Sequence, residues 1–244
     1  MAVLTYKVHT VETVKSTNST VKALAKDGAP EGYVLTASSQ TNGRGRLNRV
    51  FFSPKGTGLY LSILLRPDCD LPPYALTCMS AVALCETIEE FRIPCGIKWV
   101  NDVYTENRKA AGILVESAFN PDGSFLYAVV GIGVNLFWPE EGFPENIADK
   151  ATALFHTSPD EELRRQFFRR LLIRFKRYYE QLPNITFFES YRDRLIGIGS
   201  KVLVSEPDGM RYGQSVGIDR DFRLIVQYDD GTQSALDRGD VTLL

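Results

Sequence analysis

The chain has only two histidines, His9 and His156, and four cysteines, Cys69, Cys78, Cys85 and Cys95, with no Cys-x-x-Cys pair among them. So sparse a set of soft ligands argues against a zinc site, and no metal-ligating residues are assigned. Charge of one sign is also missing. The 28 basic and 30 acidic side chains leave a net charge of −2, whereas nucleic-acid binders usually carry a basic excess. Any anion site must therefore be local. No apolar run is long enough to span a bilayer. The first ten residues include Lys7 and His9 and lack a continuous apolar core, so they do not read as a secretory signal. Cys78 and Cys85 fall in an apolar helical stretch and read as core thiols, which suits a reducing, cytoplasmic setting.

What is present is an ordinary globular composition. The 244 residues are 44% hydrophobic and 24% charged, enough for one large domain, or one domain with a small companion. Thr5 to Val11 reads as a strand. Ser16-Thr17-Asn18 then supplies a helix N-cap ahead of Val21, Leu24 and Ala25. Tyr33–Ala37 and the apolar run Gly58–Leu65 read as strands. Pro72 and Pro73 suit the first turn of a helix over Tyr74–Phe91, with Glu86, Glu89 and Glu90 on its outer side. Ile97–Tyr104 and Arg108–Glu116 predict a hairpin turning at Glu106-Asn107. A second hairpin turns at Asn120-Pro121-Asp122-Gly123 and returns along Phe125–Val134.

The spacing predicts the longest helix over 160–182. Leu163, Phe167, Leu171, Phe175 and Tyr178 form its apolar stripe, among many arginines. A basic amphipathic helix can serve a membrane or a nucleic acid, but core packing with a solvated basic face is the plainer reading. From about Leu195 the pattern changes to short alternating strands: Lys201–Ser205, Met210–Ile218, Phe222–Tyr228 and Gln233–Leu236. Pro207-Asp208-Gly209, Asp219–Asp221 and Asp229-Asp230-Gly231 are their turns. Strands at that density suggest a small barrel. Two domains are expected, 1–194 and 195–244.

Several stretches bear on chemistry. Gln40–Pro54 packs Arg44, Arg46 and Arg49 with Gly43 and Gly45 between two strands. Guanidinium forks and backbone N–H groups suit a phosphate or carboxylate; the alternative is a solvated basic turn. Gly131-Ile132-Gly133 is not a dinucleotide fingerprint, because the third glycine would fall at Leu136 and no helix start follows. Lys109 opens an apolar strand, either as an ordinary lysine at a turn or as a cation awaiting an anionic partner. Lys98-Trp99-Val100-Asn101-Asp102 is either a capped turn or a strand end placed for binding.

These stretches form a series: Ser16-Thr17-Asn18; Gln40 with Gly43-Arg44-Gly45-Arg46; Phe52-Ser53-Pro54; Leu59-Tyr60-Leu61-Ser62; Lys98-Trp99-x-Asn101-Asp102; Lys109-x-Ala111-Gly112-Ile113-Leu114-Val115-Glu116; Gly131-x-Gly133-x-Asn135. In this order they resemble the biotin protein ligase family, across essentially the whole chain. The resemblance implies an α+β fold: a mixed β-sheet flanked by helices, of the class II synthetase-like kind, followed by an SH3-like β-barrel. It implies biotin and ATP as substrates, Mg²⁺ on the triphosphate, a biotinyl-5′-AMP intermediate, and a biotin carboxyl carrier protein as acceptor. By residue, it implies that Ser16, Thr17, Asn18, Gln40, Gly43, Arg44, Lys109 and Gly112 bind biotin. Arg44, Arg46, Arg49, Phe51, Asn101, Gly131, Gly133 and Asn135 would take the nucleotide, and Lys109, Arg46 and Asp102 would be catalytic.

The chain departs from the family's usual pattern at Val100, where proline is common, at Phe51, where tryptophan is common, and at Leu47-Asn48. With only a short strand ahead of Ser16, a ligase without DNA binding or a repressor role is expected; exposed strand edges leave a homodimer open. The rival readings are a lipoate–protein ligase, which shares the architecture, and a non-catalytic module that binds biotin or nucleic acid.

Overall fold

The computed structural model describes residues 3–72, 74–206, 209–236 and 240–244. Pro73 and the Pro207-Asp208 part of an expected turn lie outside the described residues. In chain order the elements of the first part are β1 (Lys7–Val14), α1 (Thr17–Lys26), β2 (Tyr33–Gln40), β3 (Gly58–Leu65), α2 (Ala75–Glu90), β4 (Gly96–Lys98), β5 (Asp102–Thr105), β6 (Arg108–Phe119) and β7 (Phe125–Asn135). Then come α3 (Glu161–Tyr179), α4 (Phe188–Asp193), β8 (Leu195–Ile196), β9 (Lys201–Glu206), β10 (Gly209–Ile218), β11 (Leu224–Tyr228), β12 (Gln233–Leu236) and β13 (Asp240–Leu243).

Eight strands form one mixed sheet in the order β1-β2-β3-β7-β6-β5-β4-β8. Period-2 alternation gives each strand two faces. On one face Leu35, Leu64, Tyr127 and Val129 pack with Val21 and Ala25 of α1. On the other, Leu61, Ile63, Ile113, Val130, Ile132 and Val134 join the core built on α2 and α3. Because β3 is central and covered on both sides, all eight of its residues are buried. That explains its unbroken apolar run.

The expected strand Ile97–Tyr104 is instead two strands. β4 and β5 pair antiparallel, with Lys98 opposite Asp102, and Trp99-Val100-Asn101 is the connection between them. The β5–β6 turn lies where expected, with Glu106 and Asn107 both at positive φ (50° and 59°), as a tight right-twisted hairpin requires.

Helix α3 starts at its Asp160 cap, which accepts from the N–H groups of Glu162 and Leu163. Its stripe is buried at Phe167, Leu171, Phe175 and Tyr178. Its basic side is not merely solvated. Arg170 and Arg174 pair with Glu90, and Arg177 with Glu86 at 2.6 Å, so α2 supplies the counter-charge. All four cysteines are free thiols, with Cys78 and Cys85 buried. Among the described residues, no helix is long and apolar enough to cross a membrane.

The last five strands form an antiparallel sheet in the order β12-β11-β10-β9-β13. Among the described residues β12 and β13 are its two edges, so the sheet is not closed. It is not a separate bead. Val202, Val204, Phe222 and Val226 belong to the main core, and Phe222 stacks on Phe187 with centroids 5.5 Å apart. The buried Trp99 Nε1 donates to the Phe222 carbonyl at 2.8 Å.

Candidate functional site

A cleft of about 780 Å³ opens on the α1 face of the large sheet. Its floor follows from strand register. On β7, Gly131, Gly133 and Asn135 alternate with Val130, Ile132 and Val134, which face the opposite core. Gly133 is opposite both Tyr60 of β3 and Gly112 of β6, and Gly112 is opposite Asp102 of β5. Gly131 is opposite Ser62 and Leu114. Gly112 and Gly133 are thus adjacent across two strands, with Gly131 two residues along β7, and together they leave room above the sheet.

That room is partly taken by the site's own side chains. A Cβ on Gly131 would lie 2.1 Å from Asn18 Oδ1, and one on Gly133 would lie 2.6 Å from the Phe51 ring. A Cβ on Gly112 would meet Lys109 Nζ at 3.2 Å. Gly43 is packed against the Phe51 carbonyl and the Ser53 hydroxyl.

One end of the cleft is polar and neutral. Helix α1 begins there, and Ser16, Thr17 and Asn18 are all buried. Ser16 Oγ caps the helix by accepting from the Ser19 N–H at 3.5 Å. Gln40, at the end of β2, accepts the Thr17 N–H through Oε1 at 2.9 Å and donates to Ser53 Oγ at 2.9 Å. Ser62 Oγ lies 2.8 Å from Thr17 Oγ1 and 2.6 Å from Asn18 Oδ1. Asn18 Nδ2 donates to the Leu114 carbonyl and to Glu116.

The other end is charged. Lys109 Nζ is 2.7 Å from Asp102 Oδ1, and its backbone is bridged to Lys150 and Thr152. The lysine therefore already has an anionic partner within the chain. Lys98 and Tyr104 line the same end. Burial, aided by the Asp102 charge, raises the Tyr104 phenol above its ordinary value.

Above the floor runs the arginine loop. The Gly45 N–H donates to the Arg49 carbonyl at 2.7 Å, and a β-bridge joins Arg44 to Val50, so the loop is a small hairpin. Leu47 sits at its tip in the left-handed region (φ 52°, ψ 37°), which a side chain with a Cβ adopts at a cost of about 1 kcal/mol. Arg46 Nη1 donates to Asn101 Oδ1 at 3.0 Å, while Asn101 Nδ2 donates to the Ile113 carbonyl. Arg44 Nη1 donates to both oxygens of Glu116, at 3.0 and 3.1 Å. Lys22 of α1 also reaches Glu116, at 2.7 Å. Burial alone would raise the Glu116 carboxyl, but Lys22, Asn18 and Arg44 overcome it and hold the group below the ordinary carboxylate value.

Of the residues singled out in the sequence, Ser16, Thr17, Asn18, Gln40, Arg44, Arg46, Arg49, Phe51, Asn101, Asp102, Lys109, Gly112, Gly131, Gly133 and Asn135 all line this cleft. Gly43 stands behind it, supporting Gln40 and Phe51. Asn135 is held by its donation to the Thr152 carbonyl at 3.0 Å. Sequence reasoning missed two parts of the wall. Phe143, Asn146, Ile147 and Lys150 come from the segment between β7 and α3, and Val241 and Thr242 come from β13. Ser62 and Glu116 were in the quoted motifs but carried no role; a buried hydroxyl and a carboxylate on otherwise apolar strands were the signal. Among the described residues, no group of three or more His, Cys, Asp or Glu side chains could hold a metal ion.

The biotin/lipoate A/B protein ligase family matches residues 10–135. A bifunctional ligase/repressor of Bacillus spizizenii is 34% identical over 228 residues, covering 90% of this chain and 69% of the relative. A biotin–[acetyl-CoA-carboxylase] ligase of Mycobacterium tuberculosis is 32% identical over 241 residues, covering 94% and 82%. Among solved structures, a biotin protein ligase from Aquifex aeolicus in complex with biotin and ATP superposes with a TM-score of 0.77 at 28% identity, covering 97% of this chain and 98% of that one.

Proposed function

The chain belongs to the biotin/lipoate A/B protein ligase family, and from that premise we propose that its cleft joins biotin to ATP and then passes biotin to a lysine of a biotin carboxyl carrier protein. The observation that carries this reading is the cleft's polarity. One end is a neutral hydrogen-bonding pocket around Ser16, Thr17 and Gln40, and the other holds Lys109 and Arg46. A cyclic urea with an anionic tail needs that order, and its length suits a cleft of about 780 Å³.

In the first step a biotin carboxylate oxygen attacks the α-phosphorus of ATP. The new O–P bond forms as the bond to the β-phosphate breaks, and pyrophosphate leaves with the electron pair. Two anions must approach, and the transition state carries more charge on oxygen. Lys109, Arg46 and Arg44 offset that charge; removing one such group typically lowers the rate about a hundredfold. Asp102 keeps the Lys109 ammonium in place between turnovers. Phe51 over Gly133, with Arg49 and Asn135, forms the side for the nucleotide base. Magnesium fits as part of the triphosphate, which commonly carries it without an all-protein cage, and it would neutralise phosphate charge there.

In the second step the carrier lysine amine attacks the acyl carbon. The C–N bond forms, the C–O bond to phosphate breaks, AMP leaves, and the amine gives up a proton. Asp102 would help to bind the ligand or receive that lysine. The 1–194 segment is the catalytic domain in this reading, and 195–244 contributes a wall through Val241 and Thr242. Four free thiols fit a cytoplasmic setting.

The test is ATP–pyrophosphate exchange on the full chain. Biotin-dependent exchange is expected. Exchange with lipoate instead of biotin, or none with either, refutes the reading.

A further inference from the structure

The cleft extends in three directions from Lys109, and the biotin reading fills two of them. The neutral pocket around Ser16, Thr17 and Gln40 lies against β2 and β3. The side for the nucleotide base lies over β7, where Phe51 covers Gly133. In the sheet order β3-β7-β6-β5-β4, both are on the β7 side of β6, and Lys109 is on β6 itself. Beyond β6 the cleft continues over β5 and β4, where Lys98, Asp102 and Tyr104 line it. Tyr104 is opposite Lys109, and Lys98 is opposite Asp102. At about 4.8 Å between strands, this third arm reaches roughly 10 Å from β6, long enough for a diphosphate.

The direction of the reaction assigns that arm. Transfer at phosphorus places the attacking and leaving oxygens roughly in line. A carboxylate that arrives from the α1 side therefore expels its leaving group on the opposite side, over β5 and β4.

The charges point the same way. Asp102 already holds the Lys109 ammonium at 2.7 Å, and Arg46 donates to Asn101. Lys98 faces Asp102 across the two strands, yet among the described residues it makes no ion pair. Its ammonium instead lies 6.0 Å from the centre of the Tyr104 ring. Lys98 is half-buried, and a half-buried cation with no carboxylate of its own is best compensated by an anion that comes and goes. Tyr104 adds a donor beside it. Burial and the Asp102 charge raise its phenol, which keeps its proton at neutral pH.

We infer that Lys98, steadied by the Tyr104 ring, binds the β- and γ-phosphates of ATP, the group that departs as pyrophosphate, in the arm of the cleft over β4 and β5. This rests on the biotin reading of the other two arms and adds a residue to which that reading gives no role. Lys109 serves the α-phosphate, and Lys98 stabilises the charge that gathers on the leaving group as the bond to the β-phosphate breaks.

The test uses the full chain with Lys98→Met. Pyrophosphate is varied in biotin-dependent exchange, and ATP, AMP and biotin are titrated by calorimetry. Loss of a charge-assisted contact to phosphate should raise the pyrophosphate KM and the ATP Kd about tenfold or more. AMP and biotin do not enter the arm, and their affinities should change less than about twofold. Lys98→Arg, which keeps the charge, should recover most of the lost pyrophosphate affinity. Tyr104→Leu removes the ring and the hydroxyl and should raise the pyrophosphate KM about threefold; it serves if Lys98→Met does not fold.

A pyrophosphate KM at the wild-type value in both variants overturns the proposal. So does an equal loss of AMP and ATP affinity, which would put Lys98 at the α-phosphate. Wild-type exchange, run alongside, keeps these outcomes apart from a failure of the biotin reading: exchange that does not depend on biotin refutes that reading, and this proposal with it.

Discussion

Gly131→Ala isolates the tightest approach in the site. Gly131 does not occupy a positive φ, so alanine is allowed by its backbone. The difficulty is space. The new Cβ would lie 2.1 Å from Asn18 Oδ1, 2.8 Å from Cγ and 3.1 Å from Nδ2. Asn18 is buried at 3% exposure and cannot swing into solvent, so its amide must shift. The shift endangers the Ser62 bond at 2.6 Å and the two bonds from Nδ2 at 3.2 and 3.1 Å. At a net value of about 1 kcal/mol each, their loss would destabilise the fold by about 3 kcal/mol. Reduced freedom of the unfolded chain returns roughly 0.5–1 kcal/mol. The remaining loss of about 2 kcal/mol corresponds to a fall in melting temperature of about 4–8 °C for a chain of this size. Biotin affinity should fall as well, because Asn18 supports the ligand-facing Thr17. The decisive comparison is thermal unfolding of Gly131→Ala in an Asn18→Ala background, where the colliding amide is gone. There the substitution should be nearly neutral. An undiminished loss in that background, or a wild-type midpoint for Gly131→Ala alone, would refute the collision with Asn18 as the cause.

Arg46→Ala removes the loop's bond to Asn101 and should release the adenylate early; free AMP formed from biotin and ATP without carrier should rise about tenfold or more, read by chromatography. Gly45 is extended (φ −116°, ψ −176°) and a Cβ there has nothing nearer than 3.4 Å, so Gly45→Ala should leave thermal stability within about 0.5 kcal/mol of wild type. Glu116 is held below its ordinary value of 4.5. Its contribution is therefore fully present above pH 4.5 and lost as pH falls through the lower folded value. The melting-temperature gap between wild type and Glu116→Gln should be flat above about pH 5 and shrink at lower pH. Trp99→Phe leaves the buried Phe222 carbonyl without its donor and should destabilise the chain by about 1–3 kcal/mol in denaturant unfolding.

Elements with a strong period were readable from sequence. The stripe of α3, the apolar run of β3 and the turn at Asn120–Gly123, where Gly123 has φ +86°, all carry local signals that tertiary structure did not override. The division of Ile97–Tyr104 into β4 and β5 was not readable, because Trp99-Val100-Asn101 turns the chain without a glycine or proline. The α3 arginines lost their solvated role for a similar reason, since their glutamate partners stand on α2, some eighty positions earlier in the chain. The cleft was legible in outline because its glycines and polar residues cluster in short motifs. The parts that were not legible depend on register and long-range folding. Glu116 gathers Lys22, Asn18 and Arg44 only once α1 and the arginine loop close over β6, and Val241 reaches the cleft only because β13 pairs with β9.

The placement of the two tryptophans has an optical consequence. Trp99 lines the cleft. Trp138 packs edge-on against Phe143, another lining residue, at 5.2 Å. The chain has no third indole, so all of its intrinsic tryptophan emission originates beside this cleft. Trp99 sits near the Lys109 end, with its ring N–H committed to Phe222, whereas Trp138 is stacked on His156 with centroids 5.0 Å apart and has Arg108 over its ring. Emission recorded from Trp99→Phe and Trp138→Phe would separate the two unlabelled signals, and the two chromophores would follow ligand arrival independently.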